Sequence, residues 1–234
     1  MSGVPRTERG TRTRARILEV ATEVFAGHGY HDASIVKITE AAGVGQGTFY
    51  LYFSSKQEVF EEVAKDLNSR VRRAMLAASS GAEDRLAAER AGFRAFFRFT
   101  AENPALYRIM RQAEFVAPHV LRLHYERIAA GYVAGLRAAR RRGEIGADVD
   151  PEVAAWALMG VGEMVGMRWV LWGEGAPAAA EDPAGGPAAV APRRPAGQHP
   201  DGVPEAVLDA AMLLVERALA PHRTPRPPTP GGTP

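Results

Sequence analysis

The sequence predicts an all-α protein of about nine helices. Three observations carry that expectation. No stretch alternates apolar and polar residues with a period of two, the mark of a half-buried strand. Apolar residues recur instead at helical spacing, three or four positions apart, along most of the chain. Capping and breaking residues then cut the pattern into segments of ordinary helical length: Ser34, Gly43, Ser55, Asn103-Pro104, Gly143 and Asp150-Pro151.

The first helix is expected at about 12–28, with Ile17, Leu18, Ala21 and Phe25 on its buried face and Gly27 and Gly29 ending it. Ser34 caps a second helix that turns Ile35, Ile38 and Ala42 inward and stops at Gly43. A short third helix follows at about 46–52. Ser55-Lys56-Gln57-Glu58 is a capping box, a Ser cap with Glu three residues on, and opens a helix to about Ala78. Ser79-Ser80-Gly81 breaks the pattern before a helix at about 83–102. Asn103-Pro104 opens another, to about Phe115, and Pro118 one more, to Arg142 and Gly143. Asp150-Pro151-Glu152 opens the helix Val153–Trp172. Twenty-two of the 32 residues 173–204 are Gly, Pro or Ala, which predicts a flexible loop. A last helix, about 204–220, carries Val207, Leu208, Ala211, Leu214, Val215 and Ala218 on one face, and a Pro-rich tail, 221–234, is expected to be disordered.

Composition excludes several function classes. The chain has 234 residues and no cysteine, so disulfides, Cys-based zinc sites and Cys nucleophiles are absent; this fits a reducing cytoplasm. The six histidines do not cluster at ligand spacing, so no metal is expected, and no cofactor. No nucleophile–base set, phosphate-cradling loop or nucleophile elbow can be argued, so no enzyme is expected. No apolar run follows the basic start, which argues against a secretory signal. Val153–Trp172 is long enough to span a bilayer, but Glu163 and Arg168 lie inside it, so no membrane span is expected. Net charge is only +2, yet residues 1–16 hold Arg6, Arg9, Arg12, Arg14 and Arg16 against one acid, Glu8. A local excess of that kind suits phosphates.

The most informative stretch is 34–56, SIVKITEAAGVGQGTFYLYFSSK. Helix, tight turn and short polar helix make the layout of a helix-turn-helix, which places the start of its second helix in the DNA major groove. Val44, Phe49 and Phe53 anchor that helix, and Gln46, Thr48 and Tyr50 project outward. Gln bonds adenine edges, and the Thr methyl suits thymine. Gly45 and Gly47 leave the helix start uncrowded for close backbone approach. Tyr52 and Lys56, with Ser34 and Lys37 on the other side, stand where they can clamp the sugar-phosphate backbone.

Residues 12–60 resemble the DNA-binding domain of the tetracycline-repressor (TetR) family of bacterial transcription regulators. The stretches RARILEVATEVFAGHGY and ASIVKITEAAGVGQGTFYLYFSSKQEVF carry the likeness, with Gly29-Tyr30, Ala42-Gly43-Val44, Gly47-Thr48, Tyr50, Tyr52-Phe53 and Lys56 at that family's spacing. The resemblance implies a homodimer with an N-terminal three-helix reading domain (1–55, with the basic arm) and a C-terminal helical ligand-binding and dimerisation domain (56–220, including the 173–204 loop). It implies DNA contact by Ser34, Lys37, Gln46, Gly47, Thr48, Tyr50, Tyr52 and Lys56. Two positions depart from the pattern: Gly45 stands where Ser is frequent, and Thr39 where Ala is common.

In the C-terminal part, aromatic and Met residues at helical spacing point to core or to an apolar cavity between helices. The candidate ligand residues are Phe93, Phe97, Tyr107, Met110, Arg111, His119, Tyr132, Trp156, Glu163 and Met167. Glu163 is expected either to pair with Arg111 or Arg168 or to orient a ligand. Ala154, Ala155, Gly160, Gly162 and Gly166 allow close helix approach, which with 204–220 predicts a four-helix dimer interface. The expected function is a ligand-released repressor that binds double-stranded DNA at a palindromic operator and answers to a small, mostly apolar effector. The alternative is a helical DNA-associated or scaffold dimer with no small-molecule ligand. A cavity of a few hundred Å3 favours the first and a filled core the second.

Overall fold

The computed structural model describes residues 7–172 and 202–221. Among them the chain forms nine α-helices and one π-helical turn: α1 Glu8–Asp32, α2 Ile35–Ala42, α3 Gln46–Tyr50, α4 Lys56–Ser79, α5 Arg85–Glu102, α6 Ala105–Val116, α7 Pro118–Arg142, α8 Pro151–Gly166 with its π turn Met167–Leu171, and α9 Glu205–Leu219. Arg6, most of the 173–204 loop and nearly all of the tail lie outside the described residues. No described helix is long and apolar enough to cross a membrane.

Two apolar cores organise the molecule. The first joins Ile17, Ala21 and Phe25 of α1 to Ile38 of α2, Phe49 of α3, and Val59, Phe60 and Val63 of α4. It continues without a break into Leu106, Ile109 and Ala113 of α6. Beyond the boundary expected at residue 55, the buried faces of α4 and α6 thus pack into the same core as α1, α2 and α3. The second core joins Phe93 and Phe97 of α5, Leu136 of α7, Leu158 of α8, and Leu208, Val215 and Leu219 of α9.

Several elements differ from expectation for local reasons. Helix α1 begins at Glu8 rather than near 12, because the Thr7 hydroxyl accepts from the Gly10 N–H and caps it. Most of the described basic arm is thus helical. At Gly29 the backbone leaves helical geometry at φ 79°, ψ 164°, so α1 ends in a kinked last turn. Asn103 does not cap α6. Its Nδ2 donates back to the Phe99 carbonyl at 2.9 Å, closing α5, and its Oδ1 accepts from Arg70. The helix expected over 153–172 changes winding at Met167, where the Trp172 N–H reaches the Met167 carbonyl across a π turn. On α9 the buried face is Leu208, Ala211, Met212, Val215 and Leu219; Leu214 and Ala218 face outward.

The end of the expected loop is docked. Val203 is buried in the second core, and Gly202 (φ 81°) passes so close to α5 that a Cβ there would sit 2.2 Å from the Phe97 carbonyl oxygen. Gly162 and Gly166 also serve approach within the chain: a Cβ would lie 3.0 Å from the Phe93 ring and 2.0 Å from the Tyr107 hydroxyl respectively. These two glycines face α5 and α6 aromatics instead of a second subunit.

Candidate functional site

The turn between α2 and α3 follows from its glycines. Gly43 closes α2 in the left-handed region at φ 67°, which an L side chain rarely adopts, and its N–H bonds the Glu40 carbonyl. The Val44 N–H then reaches the Thr39 carbonyl at 3.0 Å. Thr39 fits the tight α2 packing although buried, because its hydroxyl bonds the Val36 carbonyl at 3.0 Å. Gly45 opens α3 with no side-chain cap, so the start of that helix stays bare.

Phe49 and Phe53 are fully buried and fasten α3 to the first core. Gln46, Gly47 and Tyr50 are exposed and Thr48 half-exposed, so all four reach the outer face of the unit. Ser34 caps α2 by accepting from the Lys37 N–H at 3.1 Å. The Lys37 ammonium donates to the Asp32 carbonyl at 2.9 Å and remains exposed. Tyr52 is half-buried against the core.

Lys56, expected to clamp the sugar-phosphate backbone, is engaged within the chain. Its ammonium donates to the carbonyls of Tyr30 (2.8 Å), Ala33 (2.9 Å) and His31 (3.3 Å), and lies 4.5 Å from the centre of the Tyr30 ring. An ammonium has three donors, and here each meets a main-chain oxygen. Arg14, from the basic arm, is likewise engaged: it bonds Glu62 at 2.7 Å and stacks over Phe53.

A small cavity of about 60 Å3, partly open to solvent, lies between α4, α5, α6, α7 and α8. Of the sequence candidates, Phe93, Tyr107, Met110, Tyr132 and Glu163 line it. Five others are placed elsewhere. Phe97 is fully buried in the second core, one helical turn from the wall. Arg111 points outward and reaches the Met167 sulfur, so neither lines the space. His119 is exposed beside Glu61, and Trp156 is 46 % exposed on the outer side of α8. Sequence reasoning missed Met75, Leu106, His124, Ile128 and Leu158 as wall residues.

Glu163 pairs with neither expected arginine among the described residues. Both its carboxylate oxygens accept from the Tyr125 hydroxyl, at 2.9 and 3.0 Å, while Arg168 lies over the Trp169 ring. His124 is buried and bonds Asn68; burial first, and the Arg72 charge second, push its pKa down to about 4. Burial raises the Tyr107 and Tyr125 hydroxyls, with the Glu163 charge adding to it.

The cavity is tied to the reading unit through α6. Tyr107 and Met110 face the cavity, and the opposite side of the same helix grips α1. Arg108 donates to the Ala26 carbonyl at 3.2 Å, and Gln112 accepts from the Tyr30 N–H at 2.6 Å and donates to the Phe25 carbonyl at 3.3 Å.

A buried-anchor, exposed-tip α3 in this setting defines a helix-turn-helix transcription regulator. Comparison with known proteins makes the class specific. Residues 17–63 match the model of the bacterial regulatory proteins of the tetR family. The chain is 32 % identical over 171 residues to the HTH-type transcriptional regulator YdgC of Bacillus subtilis, covering 70 % of this chain and 85 % of that one. It belongs to the TetR family of DNA-binding transcription regulators. Over 117 residues it is 35 % identical to the transcriptional activator FasR of Mycolicibacterium smegmatis, covering 48 % of this chain and half of that one. The fold matches FadR of Bacillus subtilis in complex with stearoyl-CoA, at a TM-score of 0.67 and 18 % identity, over 88 % of this chain and 98 % of that one. These relatives are named as regulators of transcription, and the chain is read as one of them, not as an enzyme.

Proposed function

We propose that the chain is a ligand-released repressor, working in the cytoplasm as a homodimer on a palindromic operator. Gln46, Thr48 and Tyr50 read base edges. Ser34, Lys37 and Tyr52 hold the sugar-phosphate backbone, with the backbone of Gly47 close to it. Lys56 holds the α1–α2 corner that supports this face. The N-terminal helices form the reading unit, and the helices beyond α4 bind the effector and the second subunit.

The observation that carries the reading is α6, which touches the cavity on one side and the root of the reading unit on the other. A ligand that fills the cavity better in one conformation shifts α6 and with it α1. By linkage the operator weakens the ligand by the same factor. The cavity's apolar wall supports a sensor, while its volume of about 60 Å3 falls short of the few hundred Å3 that would set a sensor apart from a scaffold, so an effector has to widen it. The effector is small and mostly apolar. FadR of Bacillus subtilis was solved with stearoyl-CoA, and an alkyl chain is the chemistry that suits this wall as well.

For the dimer, Val153, Trp156, Gly160 and Met164 make an exposed apolar stripe on α8, and Leu213 and Leu214 extend it on α9. An isologous pairing of these stripes forms a four-helix interface. The two α3 helices then enter successive major grooves, about 34–36 Å apart.

A gel shift against the upstream region of the chain's own gene tests the function. A retarded complex that dissolves on adding an apolar ligand is expected. No retardation with any palindrome there refutes it. Gln46→Ala should cost about 1–3 kcal/mol at one base position and relax selectivity there only.

A further inference from the structure

A second space lies beside the inner cavity and is the larger of the two. Between α4, α5 and α7 an open recess of about 420 Å3 meets the cavity at Met75, Ile128 and Tyr132. That volume falls within the range of sites for drug-sized ligands, about 300–1,000 Å3. Part of the space exists because two positions on its walls lack side chains. Gly92 of α5 and Gly131 of α7 border the recess, and a Cβ on either would meet no atom within 4 Å. Neither glycine has a positive φ, so backbone geometry does not require it. A glycine inside a helix costs about 1 kcal/mol relative to alanine. What these two provide is open room.

The charge on these walls is one-sided. Arg72 and Arg73 of α4 and Arg127 of α7 line the recess. All three are exposed, and none makes a hydrogen bond or ion pair to any described residue. The one acid among the lining residues, Glu89, is 2 % exposed and already held by Arg85, whose Nε donates to it at 2.7 Å. Arg85 and Glu89 cancel, which leaves three uncompensated cations. Apolar surface from Met75, Leu76, Ala88 and Ile128 lies between them.

We propose that this recess is a binding site for a compact aryl carboxylate, its carboxylate held by Arg72 and Arg127 and its ring lying along the bare faces of Gly92 and Gly131. The site is separate from the inner cavity and holds whether or not that cavity takes a ligand. A guanidinium fork meets a carboxylate with two parallel N–H donors, and its plane also stacks on ring faces. Arg85 over the Tyr132 ring is an instance of the second contact inside the recess. A flat ring gains most from glycine, because a face approaches a helix backbone closely only where no Cβ projects. Occupancy also bears on the reading unit. Helix α4 carries Arg72 and Arg73 near its end and Val59, Phe60 and Val63 of the first core near its start.

Calorimetry on the full chain tests this with four probes: naphthoate, its neutral amide naphthamide, octanoate and acetate. Naphthoate should bind about tenfold or more tightly than naphthamide, the effect of a charge-assisted contact. That advantage should shrink in high salt. Octanoate, with the same charge on a flexible chain, should bind more weakly than naphthoate, and acetate more weakly still. The double variant Arg72→Gln/Arg127→Gln should bring naphthoate to the level of naphthamide. Gly131→Leu fills the recess and should abolish binding of both aryl probes, with the thermal midpoint at or above the parent's. Arg122→Gln, which removes the partner of Glu126, should keep the preference. Equal binding of naphthoate and naphthamide, or a preference that survives the double variant, overturns the anion site. Octanoate or acetate matching naphthoate overturns the ring. Binding that persists in Gly131→Leu places the ligand outside the recess, and no binding of any probe overturns the site as a whole. None of these outcomes decides the inner cavity, whose wall includes none of Arg72, Arg127 and Gly131.

Discussion

The side-chain oxygen of Gln112 on α6 accepts the main-chain N–H of Tyr30, at 2.6 Å, across 82 residues of chain. The same side chain donates to the Phe25 carbonyl, so one amide bridges the two sides of the Gly29 kink. Around that kink Phe60 meets both Phe25 and Tyr30 edge to face, while Phe25 and Tyr30 stack on each other. Gln112→Ala leaves a main-chain donor without its partner, which costs about 1–3 kcal/mol. The unfolding free energy from denaturant titration should fall by that amount. Hydrogen exchange at the Tyr30 N–H should speed up more than at Ile17. Unchanged protection at Tyr30 would show that α6 does not hold the end of α1.

Lys56 and Lys37 lie on the same side of the reading unit and should behave in opposite ways. Lys56→Met removes three bonds to main-chain carbonyls. Stability should drop by about 2 kcal/mol or more, since bonds to charged groups run at 1.5–3. The salt dependence of DNA binding should keep its slope. Lys37→Met should leave the midpoint nearly unchanged and flatten that slope by about one, because one phosphate contact is lost. A flatter slope for Lys56→Met instead would return its ammonium to the DNA backbone.

These two lysines show what could be read from the chain and what could not. The helix-turn-helix is written in local signals: Ser34 and Ser55 cap the next turn, Gly43 needs a positive φ, and Phe49 and Phe53 share one helix face. All of these act within a few residues of chain. Lys56 bonds carbonyls more than 20 residues away, and no local pattern announces that. The cavity wall fails for a related reason. Phe93, Phe96 and Phe97 are equally aromatic, and only the rotation of α5 against α8 decides that Phe93 and Phe96 face the cavity while Phe97 does not. Glu163 posed the same difficulty. Its partner turned out to be Tyr125 on α7, a residue whose phenol, not a charge, meets the carboxylate.

Acid should unfold the C-terminal half through His124. Its folded pKa is held down to about 4, from an ordinary value of 6.5, by burial and then by the Arg72 charge. A depressed folded pKa contributes stability that is full above the ordinary value and is lost as pH falls toward the folded one. Between pH 7 and pH 5 the loss from this one group is about 2 kcal/mol. His124→Phe should be less stable at pH 7, because Asn68 loses the ring nitrogen and keeps only the main-chain carbonyl, yet its stability should fall less over the same interval. Parallel curves for the two proteins would mean that His124 does not carry the acid sensitivity.

The dimer face can be tested without knowing operator or effector. Met164 and Leu214 are 53 % and 58 % exposed, and no core residue depends on either. A monomeric chain has little reason to keep two such apolar side chains in water on neighbouring helices. Replacing both by Glu should leave helicity and thermal midpoint close to the parent, since neither side chain fills a core. Sedimentation at micromolar concentration should move from dimer to monomer. Operator affinity should then fall by about 100-fold or more, because the second half-site no longer binds as part of the same particle. A parent that sediments as a monomer would remove the dimer altogether, and a double variant that stays dimeric would place the interface elsewhere. In the second case the exposed stripe would need a different partner, and operator affinity would remain at the parent's level.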